Sequence, residues 1–317
     1  MIQILILIGA VVAVIAVSFV VEALRPRPQA PERLSWAPDI PVRYAEVNGL
    51  RLRYIQTGQG PSLVLLHTLR TQLDLFEKVI PDLANDFTVF ALDYPGHGYS
   101  DIPTAKYDAP FFTDTIEGFL NTFDLREVTL AGVSIGASIA LLIAARNNPR
   151  VSHVVAMNPY DYANGRGMAR SSWLARVIFA AAVVPVLGET VMRLRNFLVM
   201  RNILNGGVTD PRLISPALLK EMYRVGNRRG HYRAFIALLR NAASWERAAQ
   251  EYSRIRVPVL LIWGEKDWAR DTERELDGRI IPRARMVTIK RAGHFLPLDR
   301  PDAVIELVRG AVRNVPN

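Results

Sequence analysis

The pentapeptide Gly132-Val133-Ser134-Ile135-Gly136 follows an apolar run at 128–130 and precedes a helical stretch at 137–146. A serine between two glycines at the junction of a buried strand and a helix sits on a sharp turn, because the glycines let the backbone pass close to its neighbours. Such a turn lifts the hydroxyl to the top of a sheet and to a helix N-terminus, where the backbone dipole favours a developing oxyanion. The bland reading is a structural serine in a tight turn; the strand–turn–helix context favours a nucleophile. A serine nucleophile needs a base, and the base needs an acid to orient it. Of the histidines His67, His97, His153, His231 and His294, only the last two follow Ser134, which is the chain order this kind of site uses. His231 lies among arginines. His294 stands in Ala292-Gly293-His294-Phe295, just past the last strand candidate, and is the candidate base. The run at 257–263 leads into Gly264-Glu265-Lys266-Asp267-Trp268, which makes Asp267 the candidate acid. Glu265 and Asp271 are alternatives in the same loop, and Asp161, after the run at 151–157, is an outside one.

The elements that must hold these residues are legible as short apolar runs at 62–67, 88–93, 128–133, 151–157, 257–263 and 286–289, separated by helix-length stretches. Alternation of this kind predicts a mostly parallel α/β sheet with helices on both faces. Residues 43–47 and 50–57, joined by Asn48-Gly49, predict an antiparallel hairpin with a tight turn at the sheet edge. The alternation stops over 161–251, which reads as helical segments only, an insertion sized like a lid. The core is then 43–160 plus 252–317.

The chain has 317 residues, a net charge of +9 and no cysteine. The missing thiols exclude a disulfide scaffold, a cysteine nucleophile and thiolate metal sites. No H-E-x-x-H, phosphate-binding loop or G-x-G-x-x-G is present, so no metal and no cofactor is expected. The basic balance invites nucleic acid, but no recognisable module supports that partner. Residues 4–21 form an apolar run broken only by Ser18, long enough as a helix to span a bilayer. The rival readings are a cleaved signal peptide, which lacks here its basic start and has too long a core, and a buried core helix. The sequence predicts a single-pass anchor over 1–24. Arg25, Arg27 and Arg33 follow it and none precedes it, which puts the body on the cytoplasmic side. Five prolines in 25–41 predict an extended spacer, a linker over 25–42 that holds the body off the membrane.

His67, Asp93-Tyr94-Pro95-Gly96-His97-Gly98-Tyr99-Ser100, Gly132 to Gly136, Trp263-Gly264-Glu265-Lys266-Asp267 and Gly293-His294 occur in that order. Together they resemble the α/β-hydrolase fold superfamily, of the esterase, lipase and C–C hydrolase type, over all of 43–317. The resemblance implies oxyanion donors at the backbone N–H groups of Leu69 and Ile135. Family members that act on haloalkanes and epoxides carry an aspartate at the nucleophile position, and Ser134 argues against both chemistries. Where the family has His-Gly this chain has His67-Thr68, so the loop geometry is expected to differ. In that loop His67, Arg70 and Gln72 are candidate substrate contacts, against the bland reading of a solvated polar loop. His97 and the turn around it read as scaffold.

The insertion carries fourteen Lys and Arg against six Asp and Glu, nearly the whole charge surplus of the chain. Its apolar run at 177–187 is too short to span a bilayer. With arginine margins it fits a membrane interface or a face over Ser134 that admits an apolar chain, against the bland reading of a lid packed on the core. The expected function is a membrane-anchored serine hydrolase acting on a small, hydrophobic carboxylic ester. A C–C hydrolase or lactonase would use the same triad, and a non-catalytic binding protein on the same fold is the reading of another class.

Overall fold

The computed structural model describes residues 1–313. A 22-residue helix, α1 (Ile2–Ala23), is followed by a small antiparallel pair, β1 (Arg33–Leu34) and β2 (Ala37–Pro41). The hairpin β3 (Arg43–Val47) and β4 (Leu50–Thr57) turns on Asn48 and Gly49, with φ of 52° and 75°. Two successive left-handed residues give the turn whose twist matches that of the strands. The remaining strands are β5 (Ser62–Leu66), β6 (Thr88–Leu92), β7 (Val128–Val133), β8 (Val151–Met157), β9 (Val259–Gly264) and β10 (Arg285–Ile289). They form one sheet in the order β10-β9-β8-β7-β5-β6-β4-β3, parallel from β10 to β6 and antiparallel at the β4 and β3 edge.

β5 lies between β6 and β7, so the chain leaves β5 in one direction and later returns to its other side. Ligands of open α/β sheets bind at such a switch, outside the carboxyl ends of the strands. Ser134 follows β7 and the His67–Gln72 loop follows β5, so both stand at this point. The helix Ile135–Ala145 is buried at every residue, against β7 and β8 on one side and neighbouring helices on the other. That is why its sequence is apolar all round rather than amphipathic. Between β8 and β9 the chain is helical, with no strand.

The first helix is exposed along most of its length, but Ser18 and Glu22 are buried. Glu22 Oε2 accepts from Arg25 Nε at 3.0 Å and from Arg195 Nη1 at 2.8 Å, and its Oε1 accepts from the Gly230 N–H at 2.7 Å. Arg193 donates to Ser18 Oγ at 3.0 Å and lies 3.7 Å over the Phe19 ring. Arg25 donates to the carbonyls of Arg193 and Arg195. The last turn of α1 is thus docked on the insertion.

Two expectations are corrected. Residues 25–42 are not a free spacer. The Pro26 carbonyl accepts from the Arg229 N–H, the Gln29 carbonyl accepts from Arg224, and Trp36 Nε1 donates to Asp74 at 2.8 Å. Proline removes N–H donors but leaves carbonyl acceptors, and the arginines of the insertion fill them. Nor does the run at 177–187 form a single face over Ser134. The helix Trp173–Ala182 ends there, Val186 turns with φ 66°, and Leu187–Arg193 begins anew. Ile178, Phe179 and Ala182 are buried, while Val177, Val184, Val186 and Leu187 are exposed. Pro185, Val186 and Leu187 instead border an open groove of about 480 Å³ against Val11 and Val14 of α1.

Removing one partner of a buried charge cluster leaves the others uncompensated. Glu22→Ala should therefore lower stability by about 3 kcal/mol, read as a fall in the thermal midpoint of the full chain in detergent. An unchanged midpoint would show that the Arg25 and Arg195 contacts contribute nothing.

Candidate active site

Ser134 sits at φ 60° and ψ −121°, and its N–H donates to the Met157 carbonyl at 2.8 Å. The flanking glycines are required by contact. A Cβ on Gly132 would lie 2.2 Å from the Gly136 carbonyl, and one on Gly136 would lie 2.2 Å from the Leu66 oxygen and 2.6 Å from that of His67. The Ser134 hydroxyl is buried and finds no hydrogen-bond partner among the described residues.

His294 Nδ1 and Asp267 Oδ2 are 2.5 Å apart, both side chains fully buried. Asp267 Oδ1 accepts from the Ala269 N–H at 2.8 Å, which fixes the carboxylate, and Trp268 stacks on the imidazole at 3.8 Å and 17°. With Nδ1 facing the carboxylate, Nε2 is the open nitrogen, and it too is buried and unpartnered. The alternative acids are engaged elsewhere. Glu265 accepts from the Arg291 N–H, Asp271 is exposed, and Asp161 accepts from the Tyr252 hydroxyl at 2.6 Å.

Asn158 escaped sequence reasoning. It sits at φ 48° directly after β8. Its Nδ2 donates to the carbonyls of Gly293 and His294 at 3.1 and 3.0 Å, and its Oδ1 accepts from the Gly264 N–H at 2.8 Å. One side chain therefore joins the ends of β8 and β9 to the base loop, one residue beyond the carbonyl that holds Ser134. An asparagine at the carboxyl end of a buried strand was the available signal, since Asn tolerates positive φ. Gly206 and Gly207 of the insertion were missed as well. The Gly206 carbonyl accepts from Trp268 Nε1 at 3.0 Å and that of Gly207 from the Phe295 N–H at 2.7 Å.

The N–H groups of Leu69 and Ile135 donate to no acceptor among the described residues. The Thr68 carbonyl turns into the loop, where it accepts from the Thr71 N–H and hydroxyl and lies 2.8 Å from His67 Nδ1. The Thr68 hydroxyl itself is buried and finds no partner among the described residues. Of the three candidate substrate contacts, two are directed into the scaffold. The Tyr94 N–H donates to His67 Nε2 at 3.3 Å, so both ring nitrogens are occupied, with the proton assigned to Nδ1 from that network. Gln72 donates to Asp74, which also pairs with the buried Arg53. Arg70 alone of the three makes no hydrogen bond or ion pair among the described residues, and its Nη1 is sealed from solvent. Asp93 accepts from the N–H groups of Leu73 and Tyr99 and pairs with Arg53, so the 93–100 turn braces the loop. Among the described residues no cluster of three or more His, Asp or Glu is placed to hold a metal.

Burial holds His67 and His97 down to about 3, and His231 well below the ordinary imidazole value. These rings fold neutral and, once unfolded, take up protons below about pH 6.5. The unfolded chain thus binds more protons between pH 6.5 and 3, and stability falls as pH falls through that window. Each ring contributes up to about 1.4 kcal/mol per pH unit. The urea midpoint should hold from pH 8 to 7 and drop between pH 6.5 and 5; a flat profile to pH 5 would contradict buried neutral rings.

The comparison with known proteins agrees with this architecture. The profile of a family described as alpha/beta hydrolase fold matches residues 61–301. The uncharacterised hydrolase YugF of Bacillus subtilis is 26% identical over 86% of this chain and 98% of its own. A soluble epoxide hydrolase of Corynebacterium sp. (strain C12) is 25% identical over 84% and 96%. The enol-lactonase structure from Burkholderia xenovorans LB400 superposes with a TM-score of 0.70 at 23% identity, covering 85% of this chain and 99% of that one. The parallel sheet, the serine turn beyond β7 and the family match together make this chain a member of the α/β-hydrolase fold family.

Proposed function

We propose that this protein is a serine hydrolase held in a membrane by α1, cleaving a carboxylic ester with an apolar acyl or alcohol part. One observation carries the reading. The Ser134 hydroxyl, His294 Nε2 and the N–H groups of Leu69 and Ile135 are all unpartnered at one edge of the sheet. Buried polar groups are normally paired; a tetrahedral state built from an ester carbonyl gives the two N–H groups an oxyanion acceptor, and the serine proton released by the attack goes to Nε2. Ser134 Oγ attacks the carbonyl carbon as its proton passes to His294 Nε2. The two N–H groups hold the oxyanion. His294 then returns the proton to the leaving alcohol, and a water repeats the sequence to release the acid. Asp267 stabilises the imidazolium through Nδ1. The serine at this position separates the chain from epoxide-opening relatives, whose family chemistry uses an aspartate there.

Support for a substrate with an apolar part comes from a cavity of about 300 Å³ whose wall is apolar, with Ile178, Met192, Met200 and Phe235 among its residues, apart from Arg70 and Arg195. A retained α1 is supported by its last turn. Cleavage after residue 23 or 24 would strip partners from Arg193 and Arg195, both buried. The cytoplasmic orientation then rests on Arg27 and Arg33, because Arg25 is engaged with the insertion.

A fluorophosphonate probe should label a band of about 35 kDa that stays in carbonate-washed membranes, and Ser134→Ala should abolish it. Turnover of p-nitrophenyl butyrate should fall on the order of 10³-fold or more in Ser134→Ala or His294→Ala, since the members act as a unit. Retained turnover in Ser134→Ala would sink the reading. Asn158→Ala should misplace the base loop without touching substrate. Its kcat should drop on the order of 10²-fold with KM nearly unchanged. Equal kcat would mean the loop holds its place unaided.

A further inference from the structure

Arg70 follows Leu69 in the loop after β5 and stands at the wall of the 300 Å³ cavity, half-buried, with its Nη1 sealed from solvent. Its guanidinium carries five donors and uses none of them on the described residues. Its neighbour is the Phe235 ring, 4.6 Å away. The nearby carboxylates are committed, Asp74 to Arg53, Gln72 and Trp36, and Glu22 to Arg25 and Arg195. Arg195, the second cation of the cavity wall, is saturated by Glu22 and the carbonyls of Met192, Gly226 and Arg228. Burial, with the like charges of Arg195 and Arg25, pulls Arg70 down to about 9, which leaves it a cation at neutral pH. Its backbone is left-handed, with φ 65°, a conformation that favours glycine. A strained backbone and an unpaired cation in an apolar wall both oppose folding, and such features persist where a site uses them.

We infer that the cavity is an anion subsite. The substrate of the Ser134 centre is an amphiphile whose carboxylate or phosphate oxygens are held by the Nε and Nη2 side of the Arg70 guanidinium, the side that is not sealed, with its apolar chain lying along Ile178, Met200 and Phe235. A planar fork paired with two anionic oxygens is the strong form of this contact. Arg70 follows the candidate oxyanion donor Leu69, so the anion subsite and that donor belong to one loop. The word substrate rests on the serine-hydrolase reading; the anion subsite does not.

The test is calorimetric binding of hexanoate, hexyl phosphate and hexan-1-ol to the full chain in phosphatidylcholine nanodiscs. The wild-type, Ser134→Ala and Arg70→Met chains are compared. At least one of the two anions should bind on the order of tenfold tighter than the alcohol in wild type and in Ser134→Ala. Which anion does so tells carboxylate from phosphate. In Arg70→Met the preference should shrink to within about twofold, while the thermal midpoint stays level or rises, since an unpaired buried charge has gone. A purely structural Arg70 would instead lower that midpoint. Equal binding of all three compounds in wild type overturns the inference. So does an anion preference that survives Arg70→Met, which would put the anion at the oxyanion donors. If Ser134 fails to react with the fluorophosphonate while hexanoate still binds through Arg70, only the hydrolase reading falls.

Discussion

The first turn of the helix Ile135–Ala145 passes so near the end of β5 that no side chain fits at Gly136, whose Cβ would stand 2.2 Å from the Leu66 carbonyl oxygen. This approach draws the Ser134 turn and the loop after β5 together at the point where the sheet order reverses. Ser134 is thereby forced into a left-handed conformation that a serine would not choose. Ile135 and Leu69 are brought to the same edge, just past the ends of the neighbouring strands β7 and β5. An alanine at 136 would push apart the two halves on which the candidate nucleophile and the candidate oxyanion donors stand. At Thr68 the carbonyl is directed inward and occupied by the loop itself, while the hydroxyl is buried and finds no partner among the described residues.

The base side of the site depends on polar cross-links rather than on close packing. Asn158 reaches from β8 to the carbonyls of Gly293 and His294, and Asp299 accepts from the Gly293 N–H. Trp268 and Phe295, on either side of the Asp267–His294 pair, are in turn hydrogen-bonded to Gly206 and Gly207. The imidazole is thus held by a carboxylate, a stacked indole and a backbone pinned from two directions. Two of the segments that supply these restraints, at Asn158 and at Asp267 and Trp268, are distant from His294 in the chain.

The strands, the hairpin turn and the serine turn were legible because each is a local signal, read from residues within a few positions of one another; the candidate acid and base, Asp267 and His294, were found from the ends of the strands they follow. The docking of α1 was not. Ser18 and Glu22 look like blemishes in an apolar run, and Arg193 and Arg195 look like a solvated margin, until the two meet across more than 170 residues. Polar contacts of that reach leave no periodic trace. The proline-rich segment misled for a related reason, since proline density excludes helix without excluding carbonyl acceptance. Asn158 was hidden by its function as a bracket, which exists only once β8, β9 and the base loop are adjacent. In the β5 loop, residue type alone could not separate His67 and Gln72, turned inward, from Arg70, left without a partner.

The helix Phe197–Asn205 joins two fixed points. At one end Arg193 and Arg195 grip α1; at the other Gly206 and Gly207 hold the residues beside the acid and the base. Nine residues of helix span about 13 Å, with almost no slack on either side. A helix this short leaves little give between the contacts at its two ends. The N-terminal helix and the His294 loop are thereby joined by one linkage of polar contacts and helix. Exchanging α1 for another apolar helix without Ser18 and Glu22 would cut that linkage, even if the new helix were equally long and equally greasy.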